Sequence, residues 1–149
     1  MTYLFDKAKS EAIIARINKL TPSSQALWGK MNVSQMLTHC QAPLQVAMGE
    51  HHLKKNLMGL LFGRLAKKKL VGDKPYSRNL PTAPSFLVKN ERGFEQERAK
   101  LITIIERFTA GGPAVLIKTP HPFFGPLTVE EWDKSQWKHL DHHLQQFGV

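Results

Sequence analysis

Two histidines near the end of the chain, His139 and His143, have the spacing of metal ligands. Residues four apart on an α-helix lie one turn apart on the same face, with Cβ atoms roughly 5–6 Å apart, so both imidazoles can reach one ion. His142 competes with His143 for this role, but it projects away from the apolar arc and we expect it to be exposed. The alternative is a histidine-rich helix end that only complements the helix dipole. A third ligand would favour the metal.

The third candidate ligand is His39, in a second segment of helical pattern, residues 31–48. Apolar residues recur there at helical spacing, and His39 falls inside their arc. A lone histidine on an apolar face is more often a satisfied core residue. Two helices that each present an inward histidine favour a site, because three imidazoles with an open fourth position are typical of catalytic zinc-like centres. Pro43 predicts a kink beside the proposed ligand, because it removes a backbone hydrogen bond to residue 39.

The helix that must position His139 and His143 has clear predicted ends. Thr128 suits the N-cap, and Glu131 three residues later completes a capping box. Gly148 suits the C′ position that follows a helix. The pair is therefore expected in the second half of a capped helix, at the edge of its buried face.

Length and composition predict one domain over residues 1–149, because 42% hydrophobic and 22% charged residues are ordinary globular values. The helical periodicity of its segments predicts that this domain is all-α. Long loops at 72–89 and 110–127 are expected to be functional or crossover connections. Residues 53–70 are expected to be helical in part and to pack at one end. The predicted architecture is an antiparallel four-helix bundle with long crossover loops, its helices near residues 7–20, 32–48, 93–109 and 129–147.

Four motifs of the chain occur together in a known superfamily: residues 28–39 (WGKMNVSQMLTH), 80–84 (LPTAP), 121–128 (HPFFGPLT) and 139–148 (HLDHHLQQFG). On these residues the chain resembles the DinB-like (YfiT-type) metalloenzyme superfamily. Within that superfamily it is most similar to a subgroup known only as a domain of unknown function. The resemblance covers nearly the whole chain.

The resemblance implies a four-helix bundle that carries a divalent transition metal, zinc or nickel, on three histidines. Carried over residue by residue, those ligands fall on His39, His139 and His143, and the superfamily's glutamine after the last ligand falls on Gln146. It also implies a homodimer, a small-molecule substrate, and either hydrolysis or the transfer of a thiol cofactor onto an electrophile. No catalytic residue is assigned.

The residues themselves weaken one class of chemistry. The general base of His-Glu-x-x-His metalloproteases has no counterpart, since Glu131 lies on the flank of the ligand face and Asp141 points away. This leaves two interpretations of different class: a metal-dependent enzyme, and a metal-free helical bundle that acts as a binding or stress-associated scaffold.

The formal net charge of +9 comes largely from residues 53–69, which carry six basic side chains and no acidic one. A membrane-surface or nucleic-acid helix would gather its bases opposite its leucines. Here Lys54, Arg64 and Lys68 project onto the leucine stripe. The pattern therefore favours a basic bundle helix that ends in a solvated lysine run over an anionic-partner site, and we expect neither a nucleic-acid nor a membrane partner.

Two further residues have competing interpretations. Cys40, the single cysteine, is expected to be a small buried hydrophobe rather than a ligand or nucleophile. His121 is either a fourth ligand or proton shuttle, or part of a loop packed by Phe123 and Phe124, which the pattern favours. One cysteine, no signal-peptide pattern and no long apolar run predict a cytoplasmic protein.

Overall fold

The computed structural model describes residues 1–55 and 57–149. Within this part of the chain the regular structure is helical, and the one β-bridge, His121 to Gly125, stands alone. The expected all-α class is confirmed. The α-helices are α1 (Lys7–Ile17), α2 (Val33–His39), α3 (Gln41–Ala47), α4 (Leu57–Val71), α5 (Phe94–Gly111) and α6 (Val129–Gln146), with two short 3-10 helices at Pro84–Phe86 and Gly112–Val115.

The first helix, α1, ends three residues earlier than predicted. Asp6 caps its start by accepting a hydrogen bond from the Lys9 amide at 3.1 Å. After Ile17 the backbone tightens into turns. Leu20 is buried although it lies beyond the helix, and Pro22 disfavours helical backbone at Thr21, so the helix does not resume there.

The second predicted helix divides into α2 and α3 at Cys40, as the position of Pro43 indicated. Pro43 has no N–H to donate to the carbonyl of His39, and the helix is interrupted one residue after that carbonyl. Asn32 and Gln35 form the predicted capping box at the start of α2. The interruption places His39 at the last position of α2.

Both predicted ends of α6 are confirmed. Thr128 and Glu131 form a capping box at its start. At its end Gly148 takes a φ of 76°, and the Val149 amide donates to the carbonyl of Leu144 at 3.0 Å. This is the Schellman pattern, in which a left-handed glycine lets the following amide satisfy an open helix carbonyl.

The core forms where α5 packs on α1, α2 and α3, and where α6 packs on α1 and α3. The apolar face of α5 is buried as its periodicity predicted. Its buried members are Leu101, Ile104, Ile105 and Phe108. Through these contacts the end of α2 comes close to α6, and these two helices carry the three candidate ligands.

The basic segment is helical in part, as expected: α4 covers residues 57–71, and residues 53–55 are not helical. It packs against α6 and the loop at 121–125, and the residues it buries are Gly59 and Gly63. Its leucines face outward, contrary to the expectation of a bundle helix. None of the described helices combines the length and apolar character needed to cross a bilayer.

Candidate metal centre

Three imidazoles converge from two helices at the candidate metal centre. His39 comes from the last position of α2, and His139 and His143 come from α6. The Nε2 atoms of His39 and His139 are 3.1 Å apart. One ring nitrogen from each of the three histidines lies within 4.8 Å of the others.

The carbonyl of Phe86 fixes the tautomer of His39. Nδ1 of His39 lies 2.9 Å from this carbonyl oxygen, which can only accept a hydrogen bond, so Nδ1 carries the proton and donates it. In the neutral ring Nε2 then carries a lone pair, which points at His139. Phe86 belongs to the 3-10 helix in the long loop at 72–89.

Gln146 fixes the tautomer of His143 in the same way. The Gln146 amide nitrogen donates to the carbonyl of Trp28 at 2.8 Å, which leaves its Oε1 as the atom facing His143. His143 Nδ1 donates to that oxygen at 2.7 Å. The lone pair of His143 is therefore on Nε2, which makes no hydrogen bond within the part of the chain that the structure describes.

The segment before α2 is shaped to hold Gln146. The Leu27 amide donates to the Gln146 carbonyl at 2.7 Å. Gly29 has a φ of 82°, and a Cβ added there would lie 2.6 Å from the Gln146 amide nitrogen. Only glycine fits this turn without displacing the side chain that orients His143.

All three imidazoles are held in the neutral form that a metal ion requires. Burial lowers the pKa of His39, although its bond to Phe86 acts in the opposite direction. Burial, together with the neighbouring histidines, holds the pKa of His139 well below its usual range. Burial and His39 lower the pKa of His143 to about 3, against a raising effect of Gln146. Mutual repulsion of these rings when protonated works in the same direction as burial.

The cluster fits a divalent metal ion by its donor chemistry. Tetrahedral nitrogen ligands at about 2.0–2.1 Å from one ion lie roughly 3.3 Å from each other. The observed 3.1 Å between His39 and His139 is close to this separation. Hydrogen bonds from the far ring nitrogens to a carbonyl and an amide are the usual means of orienting such ligands. The three histidines can hold a metal ion, and the cluster contains no carboxylate.

His142 lies beside the cluster and is half-buried, where the sequence predicted exposure. Its ring packs between Trp28 and Tyr76, with centroids 5.7 and 5.8 Å away. Exposure was expected because His142 leaves the apolar arc of α6, but loop residues cover that side. It lines a cleft of about 420 Å³ whose walls do not include the three clustered histidines.

His121 is part of the packed loop and does not join the cluster. Its Nδ1 accepts hydrogen bonds from the amides of Phe123 and Phe124, at 3.0 and 3.2 Å. Its ring contacts Phe124 and Trp132, and burial lowers its pKa to about 4. These contacts support loop packing, the favoured interpretation.

Cys40 is a buried hydrophobe, as expected. Its thiol contacts the sulfur of Met36 at 3.6 Å, and burial raises its pKa, so no thiolate forms at neutral pH. It adds no ligand to the adjacent His39.

Sequence analysis did not identify the carbonyls of Phe86 and Trp28, which position the ligands. Any residue supplies a carbonyl, so side-chain type carries no signal for this role. The available signals were indirect: the unusual length of the 72–89 loop, and Gly29 one residue after Trp28.

The comparisons place the chain in one family. No curated protein and no solved structure matches the chain. The family model described as "Protein of unknown function (DUF1569)" matches residues 5–148, which include all three clustered histidines, Phe86 and Gln146. The chain therefore belongs to the DUF1569 family.

Proposed function

We propose that the chain is a metal-dependent enzyme in which His39, His139 and His143 hold one divalent transition metal, zinc or nickel. The observation that carries the proposal is the pair of fixed tautomers. The oxygens of Phe86 and Gln146 accept hydrogen bonds from the Nδ1–H groups of His39 and His143. The Nε2 lone pairs of these two rings therefore face the cluster. Without a shared cation these two lone pairs would lie close together unless His139 directs an N–H at one of them.

The residues around the three histidines orient the ligands. A metal on three neutral imidazoles supplies a Lewis acid with its full double charge and at least one open position. Phe86 and Gln146 hold the rings in place, and the Trp28 segment covers Gln146. The cluster lacks a carboxylate that would act as a general base, so peptidase chemistry is disfavoured.

The substrate is a small molecule, and the reaction is either hydrolysis or transfer of a thiol onto an electrophile. We also propose that the chain is a member of the DinB-like superfamily, which is supported by its motifs at 28–39, 80–84, 121–128 and 139–148. An antiparallel four-helix arrangement and a homodimer are further parts of this proposal. A reducing, cytoplasmic compartment suits the single buried Cys40.

One observation favours the second candidate, a metal-free scaffold. The 3.1 Å separation of the His39 and His139 Nε2 atoms is also a good hydrogen bond if His139 carries its proton there. In that case the histidines would link α2 to α6 without an ion. The lone pair of His143 would then remain buried and unused, which costs free energy.

Elemental analysis of protein purified without a histidine tag separates the two candidates. We expect one zinc or nickel per chain, in the protein as isolated or after incubation with the metal and dialysis. His39→Ala, His139→Ala and His143→Ala should each abolish stoichiometric binding yet leave a folded helical protein, because the apolar core residues are unchanged. His142→Ala is the matched control and should retain the ion.

Two results would contradict the proposal. Untagged protein that neither carries nor takes up a transition metal would leave the scaffold as the function. Loss of the metal in His142→Ala, with retention in His143→Ala, would show that another pair of histidines binds it.

A further inference from the structure

The outward face of α4 carries an apolar stripe that no described residue covers. Leu57, Leu61 and Leu65, four apart and therefore on one face, are 69%, 64% and 64% exposed. Of the eleven large exposed hydrophobic side chains in the described part of the chain, six belong to this helix, so the exposure is concentrated here. Such a concentration marks an interaction surface.

Close packing of the opposite face fixes this orientation. A Cβ added to Gly63 would lie 2.1 Å from the carbonyl oxygen of Phe123, and one added to Gly59 would lie 3.0 Å from the Phe123 ring. The helix therefore approaches the loop at 121–125 by its glycines. If it turned its leucines inward, they would have no space.

Two lysines strengthen this attachment. Lys67 binds Glu131 at 2.9 Å and the carbonyl of Pro126 at 2.7 Å. Lys138 of α6 donates to three carbonyls at the end of α4, those of Lys69, Leu70 and Gly72. The leucine stripe is therefore presented outward by the fold.

Cations lie at both ends of the stripe. Lys54 and Lys55 precede it, and Lys68 and Lys69 follow it in the last turn of α4. All four are exposed, and none forms an ion pair with a described residue. There is no acidic residue between Glu50 and Asp73. Glu50 is paired with Arg107, and Asp73 is paired with Lys134.

We propose that the outward face of α4 docks on an anionic lipid bilayer surface. The leucines enter the boundary between head groups and acyl chains. The lysines at both ends lay their apolar stems along this boundary and reach the phosphate and carboxylate groups of the lipid head groups. A second copy of the chain is a poorer occupant, because pairing α4 with α4 would bring two sets of unpaired cations together. The charge of the face is complementary to anionic lipid.

The arrangement accommodates the pattern that disfavoured a membrane partner in the sequence. Lys54 precedes α4, and Lys68 lies in its last turn, so both are beyond the leucines along the axis. Arg64 does lie within the stripe, but it is exposed, and its long stem can carry the guanidinium to the head groups. Amphipathic helices on membranes need an apolar face of this kind with bases at its border. The proposal is independent of the metal site.

The test is co-sedimentation of the full-length protein with vesicles, one set of phosphatidylcholine alone and one with about a third phosphatidylserine. We expect binding to the anionic vesicles and at least tenfold weaker partitioning onto the neutral ones, since each lysine near such a surface contributes roughly fivefold. Raising the salt concentration to several hundred millimolar should release the protein.

A charge-matched pair of variants tests the position of the cations. Both variants lower the formal net charge from +9 to +5 by removing four exposed lysines, 9 − 4 = 5. The α4 variant should lose tenfold or more of its binding, and the control should lose little. The α4 variant is Lys54→Ser/Lys55→Ser/Lys68→Ser/Lys69→Ser, and the control is Lys19→Ser/Lys30→Ser/Lys89→Ser/Lys118→Ser.

A second pair tests the apolar stripe. Leu57→Ser/Leu61→Ser should lose binding to anionic vesicles, whereas Leu80→Ser/Leu87→Ser, which alters exposed leucines outside α4, should keep it. Circular dichroism of each variant confirms that it is folded, which these solvent-facing positions should permit.

Three outcomes would overturn the proposal. An equal loss of binding to anionic vesicles in the two lysine variants would mean that net charge alone attracts the protein to the lipid. A wild-type dimer that dissociates in Leu57→Ser/Leu61→Ser, without vesicle binding, would assign the face to a second copy. Salt-sensitive binding of a DNA or RNA duplex, with no binding to vesicles, would assign it to nucleic acid.

Discussion

The helices α4 and α6 lie side by side and use apolar and basic residues in opposite ways. In α6 Trp132, Leu140 and Leu144 are buried, and even Lys138 is buried, its ammonium group bonded to three carbonyls. In α4 Leu57, Leu60, Leu61 and Leu65 are exposed, and glycines form the contact with the protein. Periodicity shows that a helix has an apolar face, but the residues opposite determine which way that face points.

The same contrast separates the proposed metal site, which would bind by fixed geometry, from the proposed docking face, which would bind by area and charge. The cluster on α2 and α6 depends on single hydrogen bonds to Phe86 and Gln146. The α4 face makes few such bonds and presents exposed side chains. Single substitutions should therefore have large effects at the cluster and in the core, and small effects on α4.

The largest difference should appear between two leucines. Leu144 of α6 is 2% exposed and Leu61 of α4 is 64% exposed. Leu144→Ala should lower the free energy of unfolding by about 2–5 kcal/mol, because it removes buried surface and leaves a cavity. Leu61→Ala should change it by less than about 0.5 kcal/mol. Chemical denaturation of both variants measures this, and equal losses would mean that the α4 leucines are core residues.

Next in size is the effect of the residue that orients His143. Gln146→Leu should weaken metal binding by about 10–100-fold, because the ring loses its partner and its fixed tautomer. Gln145→Leu is the matched control, since the exposed Gln145 side chain bonds to Asp141 and not to a ligand. Competition with a chromogenic chelator gives both affinities. Unchanged affinity in Gln146→Leu would remove Gln146 from the site.

Gly63→Ala should have an intermediate effect on stability. Alanine favours a helix by about 1 kcal/mol over glycine, but its Cβ would lie 2.1 Å from the Phe123 carbonyl oxygen, and such overpacking costs about 1–3 kcal/mol. We expect a lower melting temperature and faster proteolysis within residues 57–71. Gly93→Ala is the control, because its new neighbour is the flexible end of Gln96. A stabilised Gly63→Ala would show that α4 does not pack by its glycines.

The effect that is smallest near neutral pH should be a pH dependence from His121. Burial lowers its pKa to about 4 from an unfolded value of about 6.5. The unfolded state therefore binds the proton first, and the contribution of His121, complete above pH 6.5, should be lost as the pH falls toward 4. In metal-free protein His121→Asn, whose Oδ1 can still accept the two loop amides, should lose less stability over this range than the wild type. Parallel curves for the two proteins would exclude this role.

The sequence predicted those features that depend on local chemistry. The capping boxes at Asn32 and Thr128, the glycine at 148 and the interruption beside Pro43 each follow from residues within one turn, and the structure contains them. The spacing of His139 and His143 likewise needs only helix geometry, and the apolar arc brings His39 to the same interior.

The features that were not predicted depend on contacts distant in sequence. Phe86 reaches His39 across 47 positions, and Trp28 reaches Gln146 across 118, through backbone atoms that every residue has. The outward face of α4 depends on the position of the loop at 121–125. The burial of His142 under Trp28 reflects the same kind of tertiary contact.

The central claim, that three histidines from two helices hold one ion, is tested most directly by anomalous diffraction from crystals of zinc-loaded, untagged protein. The account predicts one strong peak at the zinc edge, about 2.0–2.1 Å from the Nε2 atoms of His39, His139 and His143. The His39–Phe86 and His143–Gln146 hydrogen bonds should be retained. A zinc peak at His142 or His121 would contradict it. So would a crystal in which zinc occupies other sites fully and no peak lies among the three histidines.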